Sequence, residues 1–404
     1  MKIYIETMGC SANLSNAEIM AGLLEDAGYE IVDSEVGADL IIFNTCIVKG
    51  PTEKSCIKRI NEIKKPLIVT GCFANIPELT KELKHPVLST YNITQIVETV
   101  KDLTSRTERK YEEKLNISKK RKNNLINIVQ ICEGCQGNCT YCITKLAKGD
   151  LFVYPEDKIL KEVETSIKQG CKEIWLTAQD TGCYPNLPSL LNKICSLEGD
   201  FRVRLGMINP NHVLKFFPEL IQSLKNKKMF KFLHIPVQAG NDRILKLMNR
   251  FYTVEDFKKI VKELRKEIPD LTISTDVICG FPTETDEEFN HSLELIKETE
   301  PNVINISRFW PRGKTKAAEM EQLNGRITKE RSQKLTKLFN DIKLKQKQAL
   351  IGKEFSILID EKGKDNTMVG KTDNYLAVVV KNAKLGERLK VKIIDARKDC
   401  LFAD

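Results

Sequence analysis

The sequence contains no apolar run that approaches the ~20 residues needed to span a bilayer. Its first residues, MKIYIETMGC, lack a basic segment followed by a long apolar stretch, so they do not form a secretory signal peptide. Only 4 of the 404 residues are histidine, and they lie in no pattern typical of a Ser/His/Asp triad. We therefore expect a cytoplasmic protein without a membrane segment, in a reducing compartment.

Cysteine is the residue type that stands out in this chain, which has 13 of them. Because no secretion signal precedes them, metal or redox chemistry is a better explanation than a disulfide framework. The 64 Lys and Arg residues exceed the 55 Asp and Glu residues, which gives a formal net charge of +9. That charge is compatible with a polyanionic partner, although lysine-rich proteins can be this basic without binding nucleic acid.

Hydrophobic periodicity divides the chain into three domains and a linker. Residues 1–100 alternate strand and helix, which predicts a doubly wound parallel sheet. Residues 101–124 are highly charged without core-forming periodicity, and we interpret them as a linker. Residues 125–350 repeat strand and helix, which predicts a (β/α)6 partial barrel with its chemistry at the strand carboxyl ends. Residues 351–404 contain short strands between turn residues, typical of a small antiparallel β-barrel.

The individual elements follow from apolar runs of strand length and from apolar residues at helical spacing. The predicted strands are 3–6, 39–44, 67–70, 126–131, 173–178, 202–207, 231–237, 272–278, 303–309, 355–360, 367–371, 375–380 and 388–395. The predicted helices are 13–27, 51–63, 76–83, 156–169, 253–266, 284–298 and 328–350.

The strongest local signal is the pattern C-x3-C-x2-C formed by Cys135, Cys139 and Cys142 just after the first strand of the predicted barrel. A four-iron cluster normally takes four thiolates, so three on one loop leave one iron open to a chelating substrate. Cys132 lies three residues before Cys135, so a zinc pair is also conceivable. The neighbouring chain supplies no second pair, which favours the iron–sulfur cluster.

A second set of cysteines is dispersed along residues 1–100. Cys10, Cys46 and Cys72 each follow an apolar strand, in IYIETMGC, DLIIFNTC and LIVTGC. The carboxyl ends of parallel strands share one edge, so these three side chains can converge on a second cluster with an open iron. The alternative is that they are small buried hydrophobic residues, a common role of cysteine. Their common position after strands favours the ligand interpretation.

The segments around both cysteine sets, and further segments along nearly the whole chain, resemble the methylthiotransferase family of radical S-adenosylmethionine (SAM) enzymes. GCQGNCTYC with Ala147-Lys148-Gly149 after it is similar to the radical SAM motif, except that the family usually has Arg at the position of Lys148. Other matching phrases are ETMGCSANLSNAE, LTAQDTG, RLGMINP, HIPVQAGNDRIL and DVICGFPTETDEEF. NTCIVKGPTE and KAAEMEQ are nearest the archaeal and eukaryotic branch that modifies N6-threonylcarbamoyladenosine in tRNA. The final β segment resembles the family's RNA-binding TRAM domain.

The resemblance implies two [4Fe–4S] clusters and SAM as cofactors. Cys135, Cys139 and Cys142 would hold the cluster that cleaves SAM, and Cys10, Cys46 and Cys72 would hold the cluster that supplies sulfur. Tyr141 is expected near the SAM adenine, although it could be an ordinary loop aromatic, and Arg204 could pair only with a carboxylate. The expected SAM contacts are Tyr141, Gln179, Arg204, Gln238, Ile278 and Gly280.

The implied reaction adds a methylthio group at C2 of N6-threonylcarbamoyladenosine next to the tRNA anticodon, where an unpaired base can enter a pocket. Two alternatives stay open: methylthiolation of a ribosomal-protein aspartate or of another modified adenosine, and a non-enzymatic iron–sulfur or zinc RNA-binding protein. The Lys119–Lys122 cluster of the linker either contacts RNA phosphates or is merely solvated.

Overall fold

The computed structural model describes residues 1–48, 50–103 and 111–404, and the chain within them forms two compact units. The first unit comprises Met1–Ser166, Leu176–Gln179 and Trp310–Thr315. The second comprises Ile167–Trp175, Asp180–Phe309 and Lys316–Asp404. Part of the predicted linker, residues 104–110, lies outside the described residues.

The first unit is built on a parallel sheet of four strands in the order β2-β1-β3-β4. Both faces of the sheet are covered, because α1 and α4 pack on one side and α2 on the other around separate apolar clusters. The inner strand β3 is buried along its whole length, as expected for a parallel strand covered on both faces. The elements are β1 Lys2–Thr7, α1 Ser11–Asp26, β2 Glu30–Val32, β3 Leu40–Thr45, α2 Gly50–Glu62, β4 Leu67–Gly71, α3 Pro77–Thr80 and α4 Ile96–Lys101.

The same unit continues through two short antiparallel strands and a five-residue helix that flank the C-x3-C-x2-C loop. Before them, residues 111–124 contain no helix or strand, yet they are fastened to the unit. Lys119 donates to Glu162 at 2.5 Å, and a Cβ on Gly22 of α1 would lie 2.6 Å from the Lys119 backbone. The elements are β5 Ile126–Gln130, β6 Cys132–Glu133, α5 Thr144–Lys148, β7 Phe152–Val153 and α6 Glu156–Lys168.

Strand β8, Glu173–Thr177, is divided between the units, and alternating helices and strands follow it in the second unit. Strands β10, β11 and β12 form a parallel sheet in that order. Helices α11 and α12 each begin with a capping box, in which Thr253 or Thr285 exchanges hydrogen bonds with the acidic residue three positions on. The elements are α7 Leu187–Ser196, β9 Arg202–Leu205, α8 Pro210–Lys215, α9 Phe217–Leu224, β10 Phe232–His234, α10 Asp242–Leu247, α11 Val254–Glu267, β11 Thr272–Cys279, α12 Asp286–Thr299, β12 Val303–Arg308 and α13 Gly325–Gln348.

A closed five-stranded barrel in the order β13-β14-β15-β17-β16 ends the second unit. Its alternating inward residues, among them Ile357, Ile359 and Val378, form one buried apolar cluster. One pair, β15 with β17, is parallel, and the other neighbours are antiparallel. The strands are β13 Glu354–Lys362, β14 Thr367–Thr372, β15 Ala377–Lys381, β16 Arg388–Ala396 and β17 Leu401–Ala403.

The predicted mixed α/β architecture is confirmed, including the strands of the predicted partial barrel and the C-terminal β-barrel. The predicted helix over 76–83 is wrong, because the structure has only the four-residue helix α3, which begins at Pro77. The three-residue strands β2 and β17 were missed because they are too short for a periodic signal. Among the described residues, no helix combines the length and the apolar character that crossing a membrane requires.

The end of β4 gives a test of how closely the strand ends approach one another. Gly71 has a φ of +90°, and a Cβ there would lie 2.2 Å from the Thr45 carbonyl oxygen. Gly28 has a φ of +84° with no atom within 4 Å of such a Cβ. We expect Gly28→Ala to cost roughly 1–2 kcal/mol of left-handed strain, and Gly71→Ala to cost more because backbone must also move. Melting temperatures of the two apoprotein variants measure the difference, and equal values would contradict the close approach.

Candidate cysteine-ligated sites

The C-x3-C-x2-C cysteines lie on one loop between β6 and α5, where the Cys135 and Cys139 sulfur atoms both lie near Gly137. The Gly137 amide donates to the Cys135 Sγ at 3.2 Å. A Cβ on Gly137 would lie 3.3 Å from the Cys135 sulfur and 3.9 Å from the Cys139 sulfur. The Cys142 amide donates to the Cys139 carbonyl at 3.1 Å, which curls the end of the loop. Burial raises the pKa of the Cys142 thiol, and the charges of Cys139 and Cys135 raise it further.

Two polar side chains fix this loop from outside. The Gln179 Oε1 accepts from the Gly134 amide at 2.7 Å, just before Cys135. The Lys145 Nζ donates to the Cys135 carbonyl and to the Asp150 carboxylate, both at 2.8 Å. Gln179 was expected to contact SAM, and the structure shows it supporting the cysteine loop.

The other three cysteines follow the carboxyl ends of β1, β3 and β4, which are adjacent in the sheet. Asn13, in the first turn of α1, connects the three loops. Its Nδ2 donates to the Met8 and Thr45 carbonyls, both at 2.8 Å, and its Oδ1 accepts from the Cys72 thiol at 3.7 Å. Asn13 is fully buried. No pattern in the sequence marks Asn13, because a lone Asn inside a helical pattern carries no signal of the loops that it contacts.

A Cβ on Gly9 would lie 3.1 Å from the Cys46 Sγ, so the loop that carries Cys10 packs against Cys46. Burial raises the pKa of Cys72 to about 12, Lys148 lowers it, and Cys10 and Cys46 raise it. Burial likewise raises the pKa of Cys46, and Cys10 adds to the increase. Three neighbouring sulfur ligands on rigid strand ends fit an iron–sulfur cluster, whose binding would release the thiol protons.

A buried charge cluster that sequence analysis missed lies beside these sites. The Glu133 Oε1 accepts from the Lys114 Nζ at 2.5 Å and from the Tyr154 hydroxyl at 2.7 Å. The Lys148 Nζ is 3.8 Å from the Glu133 Oε2. Although burial opposes ionisation, the two ammonium groups hold the pKa of Glu133 below its ordinary value. No local pattern reveals this cluster, because its members come from 114, 133, 148 and 154.

The remaining expected SAM contacts, apart from Tyr141, lie in the second unit. The Arg204 guanidinium stacks over Trp175, Phe232 and Tyr375, each about 5.1 Å from its ring centroid. Arg204 is thus surrounded by aromatic rings, whereas the alternative considered from the sequence was an ion pair with a carboxylate. Tyr141 is partly buried on the cysteine loop of the first unit.

The other three residues lie at strand ends. Gln238 has a φ of 71°, and its buried Oε1 has no hydrogen-bond partner in the part of the chain that the structure describes. The backbone of Ile278 donates to the Gln238 carbonyl at 2.9 Å. A Cβ on Gly280 would lie 2.3 Å from the Thr328 Cγ2, so the absence of a side chain there already serves the packing of α13. The SAM-contact assignments of Gln238, Ile278 and Gly280 stay predictions.

Asp180, Cys183 and His212 also bring three metal-ligand types within 4.8 Å of one another. The Asp180 carboxylate already accepts from the Gly182 and Asn209 amides, the Asn209 side chain and the His212 Nδ1. This carboxylate therefore has the hydrogen bonds that a buried group requires, and it fixes the loop after β8 without a metal.

The basic cluster of the predicted linker is largely engaged by the protein itself. Lys119 is almost fully buried and paired with Glu162, and Lys120 pairs with Glu25. Arg121 donates to Asn127 and Ser166. The Lys119 ammonium is therefore neither solvated nor exposed to an RNA phosphate.

Comparison with known proteins places these sites in a class. A model of the radical SAM superfamily matches residues 129–296, one of the uncharacterized protein family UPF0004 matches residues 2–89, and one of the TRAM domain matches residues 348–404. The fold is similar to that of TsrM from Kitasatospora setae, a radical SAM methyltransferase, with a TM-score of 0.55 and 15% identity over 76% of this chain and 72% of that one. This chain is a radical SAM protein, and this class of proteins uses a [4Fe–4S] cluster and SAM.

Full-length relatives narrow the class. A probable threonylcarbamoyladenosine tRNA methylthiotransferase of Pyrococcus abyssi is 43% identical over 100% of this chain and 99% of its own length. The human threonylcarbamoyladenosine tRNA methylthiotransferase is 37% identical over 98% of this chain and 72% of its own length. The chain belongs to the threonylcarbamoyladenosine tRNA methylthiotransferase family.

Asn13 provides a test of the second cysteine set. Asn13→Ala removes two hydrogen bonds to loops that carry Cys10 and Cys46, and buried groups left unsatisfied cost roughly 1–3 kcal/mol each. We expect the variant to lose iron to a chelator faster than the parent, measured with Cys135, Cys139 and Cys142 replaced by Ala.

Asn16→Ala is the matched control, because Asn16 is equally buried on α1 but accepts a hydrogen bond from Gln130 of β5. Both variants should lower the melting temperature of the apoprotein. Equal iron retention in the two would show that Asn13 stabilises the helix alone.

Proposed function

We propose that this chain is an enzyme that adds a methylthio group at C2 of N6-threonylcarbamoyladenosine in tRNA, with two [4Fe–4S] clusters and SAM as cofactors. The observation that carries the proposal is the pair of three-cysteine sets in the first unit, one on a single loop and one at the ends of three parallel strands. A non-enzymatic binding module would not require two sets that each leave a ligand position open. The names of the full-length relatives support tRNA as substrate.

The residues of the two sets have separate roles in this proposal. Bound at Cys135, Cys139 and Cys142, a cluster would supply the one-electron chemistry that cleaves SAM and activates a carbon atom. Gln179 and Lys145 would keep the loop in register through the Gly134 amide and the Cys135 carbonyl. Cys10, Cys46 and Cys72 would hold the second cluster, where sulfur for transfer is kept. Asn13 would keep their three loops together.

The proposed domains follow the sequence boundaries: 1–100 for the second-cluster domain, 101–124 for the linker, 125–350 for the radical SAM domain and 351–404 for the TRAM barrel. The base would be an unpaired nucleotide of the anticodon loop, which reaches a pocket without melting a duplex. The reaction would take place in the cytoplasm.

The decisive experiment incubates the anaerobically reconstituted enzyme with SAM, a reductant and tRNA that carries N6-threonylcarbamoyladenosine. Mass spectrometry of the nucleosides should show a new methylthio derivative, and tRNA without the threonylcarbamoyl group should stay unmodified. Replacing Cys10, Cys46 and Cys72 by Ala should abolish the product while SAM cleavage continues. Product on a ribosomal protein but not on tRNA would overturn the proposed substrate.

RNA binding by the C-terminal barrel is a second expectation. Lys390 and Lys392 are exposed on β16, where they alternate with the buried Val391 and Ile393. If they neutralise phosphates, Lys390→Glu with Lys392→Glu should weaken tRNA binding. The slope of log affinity against log salt should also become less steep, by about 0.7 for each single-strand phosphate that is no longer neutralised.

Lys259→Glu with Lys262→Glu is the control, since these residues are equally exposed on α11 and the charge change is the same. Filter binding at several salt concentrations measures both variants. Identical slopes for the two would show that net charge, and not the barrel surface, determines the affinity.

A further inference from the structure

Lys148 is a buried cation that has an ion-pair partner, Glu133, but no hydrogen bond from the described residues. Its side chain is 1% exposed at the last position of α5, and none of the described residues hydrogen-bonds to its Nζ. The Glu133 Oε2 lies at 3.8 Å, beyond hydrogen-bond distance. The other oxygen of Glu133 is already bonded to Lys114 and Tyr154.

The charges in this cluster do not balance. Two ammonium groups, those of Lys114 and Lys148, share one carboxylate, and all three side chains are at most 1% exposed. An uncompensated charge removed from water is strongly unfavourable. A further anion near Lys148 would balance the second ammonium.

The position of α5 shows where that anion belongs. The Asn75 Nδ2 donates to the Ala147 carbonyl at 2.6 Å, which joins the end of α5 to the turn that follows Cys72. Ala147 and Cys72 share one apolar cluster.

We infer that Lys148 is a positioning residue of the second cysteine site, where its ammonium holds a monoanionic sulfur ligand beside Cys10, Cys46 and Cys72. This inference rests on the proposed function, because it assigns a holder to the sulfur that is to be transferred. The ligand belongs to the hydrosulfide or methanethiolate class.

The surroundings favour a small anion with one charge. Lys148 offers a single ammonium, and no arginine accompanies it in the buried charge cluster defined by Lys114, Glu133, Lys148 and Tyr154. A phosphate or sulfate site would need several converging donors. Three cysteines also leave one ligand position of a four-iron cluster open, and sulfur anions are natural ligands for iron there.

The test compares the two buried lysines of the cluster. Lys148→Met removes the ammonium without breaking any hydrogen bond, whereas Lys114→Met removes a hydrogen bond to Glu133. Lys148→Arg keeps the charge. All three are made in a protein whose Cys135, Cys139 and Cys142 are Ala, so that only the second cluster is observed.

Two quantities are measured: the melting temperature of the apoprotein, and the affinity of the reconstituted cluster for sodium hydrosulfide, followed by electron paramagnetic resonance. Lys148→Met should weaken hydrosulfide binding at least tenfold, a loss of about 1.4 kcal/mol, without lowering the apoprotein melting temperature. Lys114→Met should lower the apoprotein melting temperature without weakening hydrosulfide binding. Lys148→Arg should bind hydrosulfide more tightly than Lys148→Met.

Each contrary result has a separate meaning. A parent protein without iron in this background would overturn the two-cluster proposal. A parent that binds iron and hydrosulfide, with the same affinity in Lys148→Met, would overturn only the role of Lys148. A Lys148→Met protein that folds but no longer retains iron would also overturn it, because the lysine would then serve the cluster and not the added ligand.

Discussion

The first unit depends on the convergence of three strand ends at one edge of a parallel sheet. Parallel strands deliver their carboxyl ends to the same edge, but loops with bulky side chains would keep the cysteines apart. Gly71, with its positive φ, lets the β4 loop approach the Thr45 carbonyl. Asn13 then donates to the Met8 and Thr45 carbonyls, which the packing has removed from water wholly or in part. Backbone geometry and a single buried amide thus bring Cys10, Cys46 and Cys72 together before any metal binds.

Helix α5 links this edge to the other cysteine loop. It begins two residues after Cys142 and ends at Lys148, so five residues separate the loop of one cysteine set from the cation beside the other. Its carbonyl end is bonded to Asn75, and Asn75 also accepts from Ser89 and the Thr90 amide. A shift of α5 would therefore disturb both sets of ligands. A helix of five residues would not be stable alone, and the buried hydrogen bonds through Asn75 hold it in place.

Much of this arrangement was predictable from the sequence, because its signals are local. Each cysteine of the dispersed set directly follows an apolar run, and the compact set has a spacing that only a single loop can supply. Asn13 and Glu133 act through partners distant in sequence, so no local pattern marks them. Lys148 was marked by the family motif, but its buried surroundings were not. Gln179 was recognised as a polar residue at a strand end, but its partner, the Gly134 amide, is determined by tertiary packing. The helix predicted over 76–83 failed for a related reason, since propensity gave no sign of how soon the chain turns after Pro77.

The same electrostatic constraint applies to both cysteine sets of the first unit. A thiolate cluster is anionic, because three thiolates carry more negative charge than an oxidised four-iron core carries positive charge. A protein can offset this charge with amide donors, as the Gly137 amide does for the Cys135 sulfur. It can also bury a cation, at a high cost while the site is empty. Lys148 is such a buried cation. The Glu133 carboxylate lowers the cost of burying it, because it lies close enough to attract the ammonium but too far away to hydrogen-bond to it. The ammonium therefore remains available for a ligand.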